Sequence, residues 1–335
     1  MRVNRGLAVV LIAPFHAARW IAGPHAQTIV GRALRATRGV GFRRERLATP
    51  DGDFVELDFA DVPGRTCRDR GDRAPIVLLL HGLEGSARSG YAHVSYRALA
   101  TAGLRPVGLN FRTCSGTLQR SARLYHSGDT ADAAFVLRTL CDRFPGVQLG
   151  AVGFSLGGNV LLKYLGERGE TADVDAAVAV SVPFNLAACA DALAVGASRV
   201  YGRFLLRQLQ AKVRAKSAEL AAVCDLRHVA ESDTLREFDD RFTAPVHGFR
   251  DADDYYARSS SGGFLDRIRT TTLILHSADD PFLPRAFVPT IFPNPAIRAV
   301  VTDRGGHVGF VAGGAPWAPT FWAETQAAAF LKAKL

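Results

Sequence analysis

From Gln148 to Lys163 the chain reads QLGAVGFSLGGNVLLK. A short apolar run, Leu149 to Val152, enters Gly153-Phe154-Ser155-Leu156-Gly157, and a helical apolar run, Val160 to Leu165, leaves it. Strand, sharp turn and helix form the setting in which Gly-x-Ser-x-Gly presents a nucleophile. A serine on so tight a turn forces the residues two places before and after it together, and side chains there would clash. An ordinary Gly-rich strand-to-helix turn has the same composition, so the pattern needs partners elsewhere in the chain. A serine hydroxyl attacks only if a base takes its proton and a third group orients that base.

The flanking chain supplies a frame for such partners. Arg43 to Ala48 and Phe54 to Phe59 read as strands joined by the turn Thr49-Pro50-Asp51-Gly52, hence an antiparallel hairpin. Pro63 to Ala74 is a polar, Gly/Arg-rich loop. Ile76 to Leu80, Arg105 to Leu109, Ala176 to Val182, Thr271 to Leu275 and Ala296 to Val301 are apolar runs suited to strands buried on both faces. Helical patterns lie at Tyr91 to Ala102, Asp129 to Phe144 and, as a closing amphipathic helix with its proline at the start, Pro319 to Leu331. This alternation predicts a mostly parallel, doubly wound α/β sheet. Residues 183–268 break the rhythm with helical pattern and many charges. They are expected to be a helical cap insertion in one domain spanning residues 1–335. Within it, Phe238-Asp239-Asp240-Arg241-Phe242 and Asp253-Asp254-Tyr255-Tyr256 are expected to pack within the cap, with a substrate entrance as the other reading.

Two loops past strand ends carry the required partners. After Thr271 to Leu275 comes His276-Ser277-Ala278-Asp279-Asp280-Pro281-Phe282, and after the last strand comes Asp303-Arg304-Gly305-Gly306-His307-Val308-Gly309-Phe310. Open α/β sheets place their sites at these strand ends. Ser155 as nucleophile and His307 as base follow, with Asp280 the orienter by its Asp-x-x-x-Pro spacing to Pro284. Asp279 is the alternative acid, and whichever of the two is not the orienter is expected to cap the turn or bind backbone amides. Two backbone N–H donors are needed for the oxyanion. Leu156 follows the nucleophile, and Leu83 lies in His81-Gly82-Leu83-Glu84-Gly85 after an earlier strand. His81 is expected to order its loop, the alternatives being a metal ligand or a second base. Asn110-Phe111-Arg112 is expected to shape the pocket floor or neighbouring loops, and Asn159 to hydrogen-bond locally.

No phosphate-cradling glycine loop, metal-ligand spacing or nucleic-acid motif is present, so no cofactor, metal or nucleic-acid partner is expected. The five cysteines, Cys67, Cys114, Cys141, Cys189 and Cys224, are scattered and suggest neither a disulfide framework nor zinc. A reducing, cytoplasmic location is the corresponding expectation. Gly6 to Ala13 is apolar but too short to span a bilayer, and reads as a buried or interfacial N-terminal segment. The formal charge is +9, with Arg32, Arg35, Arg38, Arg43, Arg44 and Arg46 clustered early. A solvated arginine-rich face is expected there, with weak peripheral contact with anionic membrane as the functional alternative.

Taken together, HGLEGS (His81 to Ser86), NFRTCSG (Asn110 to Gly116), GFSLGGN (Gly153 to Asn159), SADDPF (Ser277 to Phe282) and GGHVGF (Gly305 to Phe310) resemble the YheT-like α/β-hydrolases. Plant embryogenesis-associated proteins and animal α/β-hydrolase-domain lipases belong to the same branch. Pro24-His25-Ala26-Gln27-Thr28, Phe238-Asp239-Asp240 and Thr243-Ala244-Pro245 resemble that family too. The chain departs from it at Arg112-Thr113, where Arg-Gly is frequent, and at Ala26, where Leu is frequent. The resemblance implies the α/β-hydrolase fold: a mostly parallel eight-stranded sheet with helices on both faces and a helical cap insertion. It also implies a serine hydrolase cleaving lipid-like or shorter acyl esters through an acyl-enzyme. A thioesterase or acyltransferase with the same residues, or a non-catalytic binding protein, are the rival readings.

Overall fold

The computed structural model describes residues 11–64, 73–289 and 292–335. Of the expected N-terminal segment, Gly6 to Val10 lie outside the described residues, as do residues 65–72 of the polar loop, including Cys67. Ile12 packs against the core beneath one face of the sheet, and Ala13 is tied to the C-terminal helix through Gln326 Oε1 and Trp322 Nε1, both at 2.9 Å.

Eight strands form one sheet in the order β1-β2-β4-β3-β5-β6-β7-β8. They are β1 (Gly41–Ala48), β2 (Phe54–Asp61), β3 (Ile76–Leu80), β4 (Arg105–Asn110), β5 (Leu149–Phe154), β6 (Ala176–Val180), β7 (Thr271–Ser277) and β8 (Ile297–Thr302). β1 pairs antiparallel with β2 and β2 with β4, and the remaining pairings are parallel. The alternation of side chains along each buried strand feeds two cores. On β3, Ile76, Leu78 and Leu80 join α3 (Ala131–Arg143) and α4 (Leu156–Arg168) on one face. Val77 and Leu79 join α2 (Gly90–Thr101) and α12 (Trp322–Lys334) on the other. Apolar residues on both faces are what a strand covered by helices on either side requires.

The C-terminal helix departs from expectation. Thr320–Phe321 (β10) pairs antiparallel with Val311–Ala312 (β9), so Pro319 precedes a small ribbon and the helix starts only at Trp322. Its exposed stripe is narrow, Thr325, Ala329, Lys332 and Ala333, and the rest as far as Leu331 is buried, Glu324 and Gln326 included, because the sheet, α2 and the N-terminal segment enclose it.

The early arginines divide: Arg32, Arg38, Arg43 and Arg46 are exposed, as a solvated face requires, whereas Arg35 is buried and Arg44 half-buried. Arg35 is 5% exposed and pairs with buried Glu324 at 2.7 Å. Arg44 grips Asp58 with two nitrogens, at 2.9 and 2.7 Å, and Arg46 bonds Glu56 at 2.8 Å, across the β1–β2 hairpin. These charges face carboxylates directly opposite them on the neighbouring strand.

Between β6 and β7 the described elements are helical. They are α5 (Leu186–Ala192), α6 (Arg199–Ala215), α7 (Ser217–Leu220), α8 (Leu226–Ala230), α9 (Leu235–Phe238), α10 (Ala244–His247) and α11 (Ala252–Ser259), with a π-helical turn at Asp239–Thr243. Leu205, Leu206, Leu209, Val213, Leu220, Val229, Leu235, Phe238 and Phe242 form a separate core among these helices. It is continuous with Leu83 and Phe282 from the loops after β3 and β7. The apolar spacing on α6 therefore serves packing over the strand ends.

Candidate active site

The chain leaves β5 and enters α4 through Ser155, whose backbone stands at φ 52° and ψ −120°. L-residues avoid that region, and such strain persists only when the surroundings over-determine it. Here the turn is locked by Ser155 N–H to Val180 O at 2.8 Å and Asn159 N–H to Ser155 O at 3.0 Å. A Cβ on Gly153 would collide with the backbone of Gly157 and Gly158, and one on Gly157 with the carbonyls of Leu80 and His81. The two glycines thus let the elbow close on itself and on the end of β3.

His307 bridges the other two predicted residues. Its Nε2 lies 2.9 Å from Ser155 Oγ and its Nδ1 2.8 Å from Asp280 Oδ2. An ionised carboxylate can only accept, so Nδ1 carries the proton and Nε2 faces the serine as an acceptor. Burial works against the charge of Asp280, but His307 and the Phe282 N–H hold its carboxyl below the ordinary value. Asp279 points elsewhere. Its Oδ1 accepts from the Gly306 N–H at 2.9 Å and from the Ser277 hydroxyl, fastening the His307 loop to the end of β7.

The loop after β3 lies beside the elbow. A Cβ on Gly82 would sit 3.2 Å from Ser155 Cβ. Leu83 and Leu156 both border the cavity over Ser155, and Leu156 is the first residue of α4, where helix N–H groups have no partner within the helix. His81 is fully buried, with Nδ1 2.8 Å from Gly82 O and Nε2 accepting from the Phe111 N–H at 3.1 Å. Burial lowers its pKa to about 3, so it stays neutral and orders the loop. Asn110 accepts from Ala87 N–H and donates to Glu56 O and Asp58, while Arg112 forms a buried two-nitrogen pair with Asp132 at 2.7 Å. Both organise loops, and neither borders the cavity.

Asn159 contradicts the expectation of a local role. Its amide donates to Ser127 O and Ser259 O and accepts from Ser261 N–H, each at 2.8 Å. Buried at the start of α4, it pins distant loops to the elbow helix.

Several residues around His307 carried no catalytic signal in the sequence. Thr28 Oγ1 accepts from the His307 N–H at 2.9 Å. Gln27 brackets Val311 through both its amide atoms, and Arg35 donates to Gly309 O at 2.9 Å. All three belong to or end α1 (Gly23–Leu34), so Gln27 and Thr28 of the family-like Pro24 to Thr28 motif act as a clamp on the histidine loop. Phe282 stacks on the His307 ring, with centroids 3.9 Å apart and planes 2° from parallel.

Above these residues lies a cavity open to solvent. Leu193, Leu205, Leu209, Leu235, Phe238 and Phe242 give it an apolar wall from the helical segment. Asp239, Tyr255 and Tyr256 border it too, so the two acidic-aromatic stretches do more than pack among themselves. Burial pushes the Asp239 carboxyl up to about 6, against the donating hydroxyls of Thr243 at 2.6 Å and Tyr256 at 2.8 Å. Among the described residues no group of three or more His, Cys, Asp or Glu is placed to hold a metal.

Residues 75–313 match the model of the alpha/beta hydrolase fold family. The chain belongs to the α/β-hydrolases. Its YheT-like character follows from 41% identity to the YheT protein of Escherichia coli (strain K12), over 94% of this chain and 92% of that one. This α/β-hydrolase is also 31% identical to the human phospholipase ABHD3, over 88% of its own length and 73% of the relative's. It is 31% identical to the embryogenesis-associated protein EMB8 of Picea glauca, over 91% and 70%. Among solved structures, an esterase of Pyrococcus furiosus superposes with a TM-score of 0.52 at 16% identity, covering 91% of both chains, a likeness of fold. Among the described residues of this α/β-hydrolase, no helix is long and apolar enough to cross a membrane.

Proposed function

We propose that this α/β-hydrolase cleaves carboxylic esters through an acyl-enzyme on Ser155. The observation that carries the reading is the position of His307, within hydrogen-bond reach of Ser155 Oγ on one side and of Asp280 on the other. In this mechanism Ser155 Oγ attacks the ester carbonyl as His307 Nε2 takes its proton. Asp280 holds the ring and stabilises the imidazolium that forms. The Leu83 and Leu156 N–H groups receive the charge on the tetrahedral oxygen. His307 then protonates the leaving alcohol, and water enters by the same base to release the acid.

The apolar cavity favours an acyl chain as the group bound beside Ser155, since leucine and phenylalanine surface rewards the burial of aliphatic carbon. Relatives named as a phospholipase and, in Saccharomyces cerevisiae, a monoacylglycerol lipase support lipid-like esters as substrates. The helices between β6 and β7 serve in this reading as the cap that selects them. The free thiols Cys114, Cys141, Cys189 and Cys224 suit a reducing cytoplasm.

A fluorophosphonate probe tests the nucleophile. Folded wild-type protein is expected to label with one equivalent, and Ser155→Ala not at all. A wild type that does not label, or a Ser155→Ala that labels equally, removes Ser155 from the role. With medium-chain esters, Ser155→Ala is expected to lower kcat by roughly 10⁴ to 10⁶.

A further inference from the structure

Helix α6 touches the machinery at both ends. Just before it, Ser198 Oγ donates to Pro281 O, next to Asp280, at 2.7 Å. In its first turns Tyr201 lies against Phe282, the ring stacked on His307. Its middle presents Leu205 and Leu209 to the cavity. One turn further, the Lys212 ammonium donates to Glu84 Oε1 of the loop after β3 at 2.8 Å and lies 3.0 Å from Cys114 Sγ of the loop after β4.

Glu84 follows Leu83 and stands at φ 53°, a left-handed conformation for a residue that is not glycine. Its N–H donates to Tyr125 Oη at 2.8 Å, and that hydroxyl donates back to Glu84 Oε1 at 2.8 Å. The carboxylate is 3% exposed, and a carboxylate so buried holds its place only with a cation and donors around it. Lys212 supplies the cation. Burial opposes its charge, but Cys114 and Glu84 hold its pKa above the ordinary value.

We infer that Lys212 is a positioning residue for the oxyanion loop: from the helical segment it fixes Glu84, and through Glu84 the direction of the Leu83 N–H. The inference rests on the ester-hydrolase reading above. Without the ammonium, the buried Glu84 carboxylate loses its cation and swings toward water. That movement releases the left-handed turn at Glu84, the residue that anchors Leu83 and so holds the loop in which the Leu83 N–H is set. The cost then falls on the transition state, where the oxyanion forms, and much less on ground-state binding. A lysine that merely fastened the helices to the core would instead lower thermal stability and weaken binding of long acyl chains.

The experiment compares wild type, Lys212→Met, Lys212→Arg, Glu84→Gln and the double variant Glu84→Gln/Lys212→Met, each checked for folding by circular dichroism. Readouts are the rate of fluorophosphonate labelling and the kcat and KM for a butyrate ester too short to fill the cavity. Lys212→Met and Glu84→Gln are each expected to lower kcat and labelling rate by roughly 10- to 100-fold, with KM within about twofold. Lys212→Arg should recover at least half of that loss on a logarithmic scale. The double variant should be no slower than the slower single one, because both act through one loop. Should Lys212→Met not fold, the double variant, which leaves neither charge buried alone, carries the comparison. Equal labelling rates in wild type and Lys212→Met, or losses that multiply in the double variant, overturn the inference alone. A wild type that does not label overturns the hydrolase reading and the inference with it.

Discussion

At the scale of the residue, adjacent aspartates have been given separate work. Asp280 faces His307 Nδ1, whereas Asp279 faces the Gly306 N–H and the Ser277 hydroxyl. An asparagine at 280 would present an amide where the imidazole needs an acceptor and would favour the wrong tautomer. An asparagine at 279 keeps the oxygen that accepts from Gly306. Asp280→Asn is therefore expected to lower kcat by about 10³ to 10⁴, and Asp279→Asn by no more than about tenfold. Steady-state kinetics on a medium-chain ester decides it, and the reverse order would assign the acid to Asp279.

At the scale of the element, α1 has a function that its own sequence pattern does not announce. It carries the histidine loop through Thr28, Gln27 and, just past its end, Arg35. Arg35 joins that loop to α12 through Glu324, both side chains being almost wholly buried. Removing one partner of such a pair leaves a buried charge alone, which costs about 3–5 kcal/mol. Arg35→Met is expected to lose stability of that order in urea denaturation, and Arg35→Met/Glu324→Gln to regain a good part of it. A single variant within about 1 kcal/mol of wild type would show that the pair is not what seats the loop.

At the scale of the whole molecule, strand order decides where the site forms. The chain winds outward from β3 to β4 and then returns to β5 on the other side of β3, so the connections diverge between β3 and β5. The crevice at that switch point receives the Leu83 loop from β3 and the Ser155 elbow from β5. The helices between β6 and β7 roof it and set the depth of the cavity. Leu209, buried on α6, narrows that depth if enlarged. Leu209→Trp is expected to lower kcat/KM for a decanoate ester relative to a butyrate ester by at least about tenfold. An unchanged chain-length profile would mean that the acyl group binds elsewhere.

The strands, the elbow and the residues Ser155, Asp280 and His307 were legible in the sequence because local rules govern them. Continuous apolar runs mark buried strands, glycines mark the tight turn, and each polar residue stands just past a strand end. What depended on distant contacts was not legible. The start of α12 shifted because Thr320 and Phe321 pair with residues across a loop. Asn159 reached Ser127, Ser259 and Ser261, while Arg44 and Arg46 found carboxylates on β2 and Arg35 one on α12. Local pattern records whether a side chain is apolar and what turn its backbone makes, and so it determined the elements and the polar residues at their ends. The clamp on His307, the grip of Lys212 on Glu84 and the apolar cavity join residues far apart in the chain. Only tertiary structure decided them, since burial and partner are properties of the packed molecule.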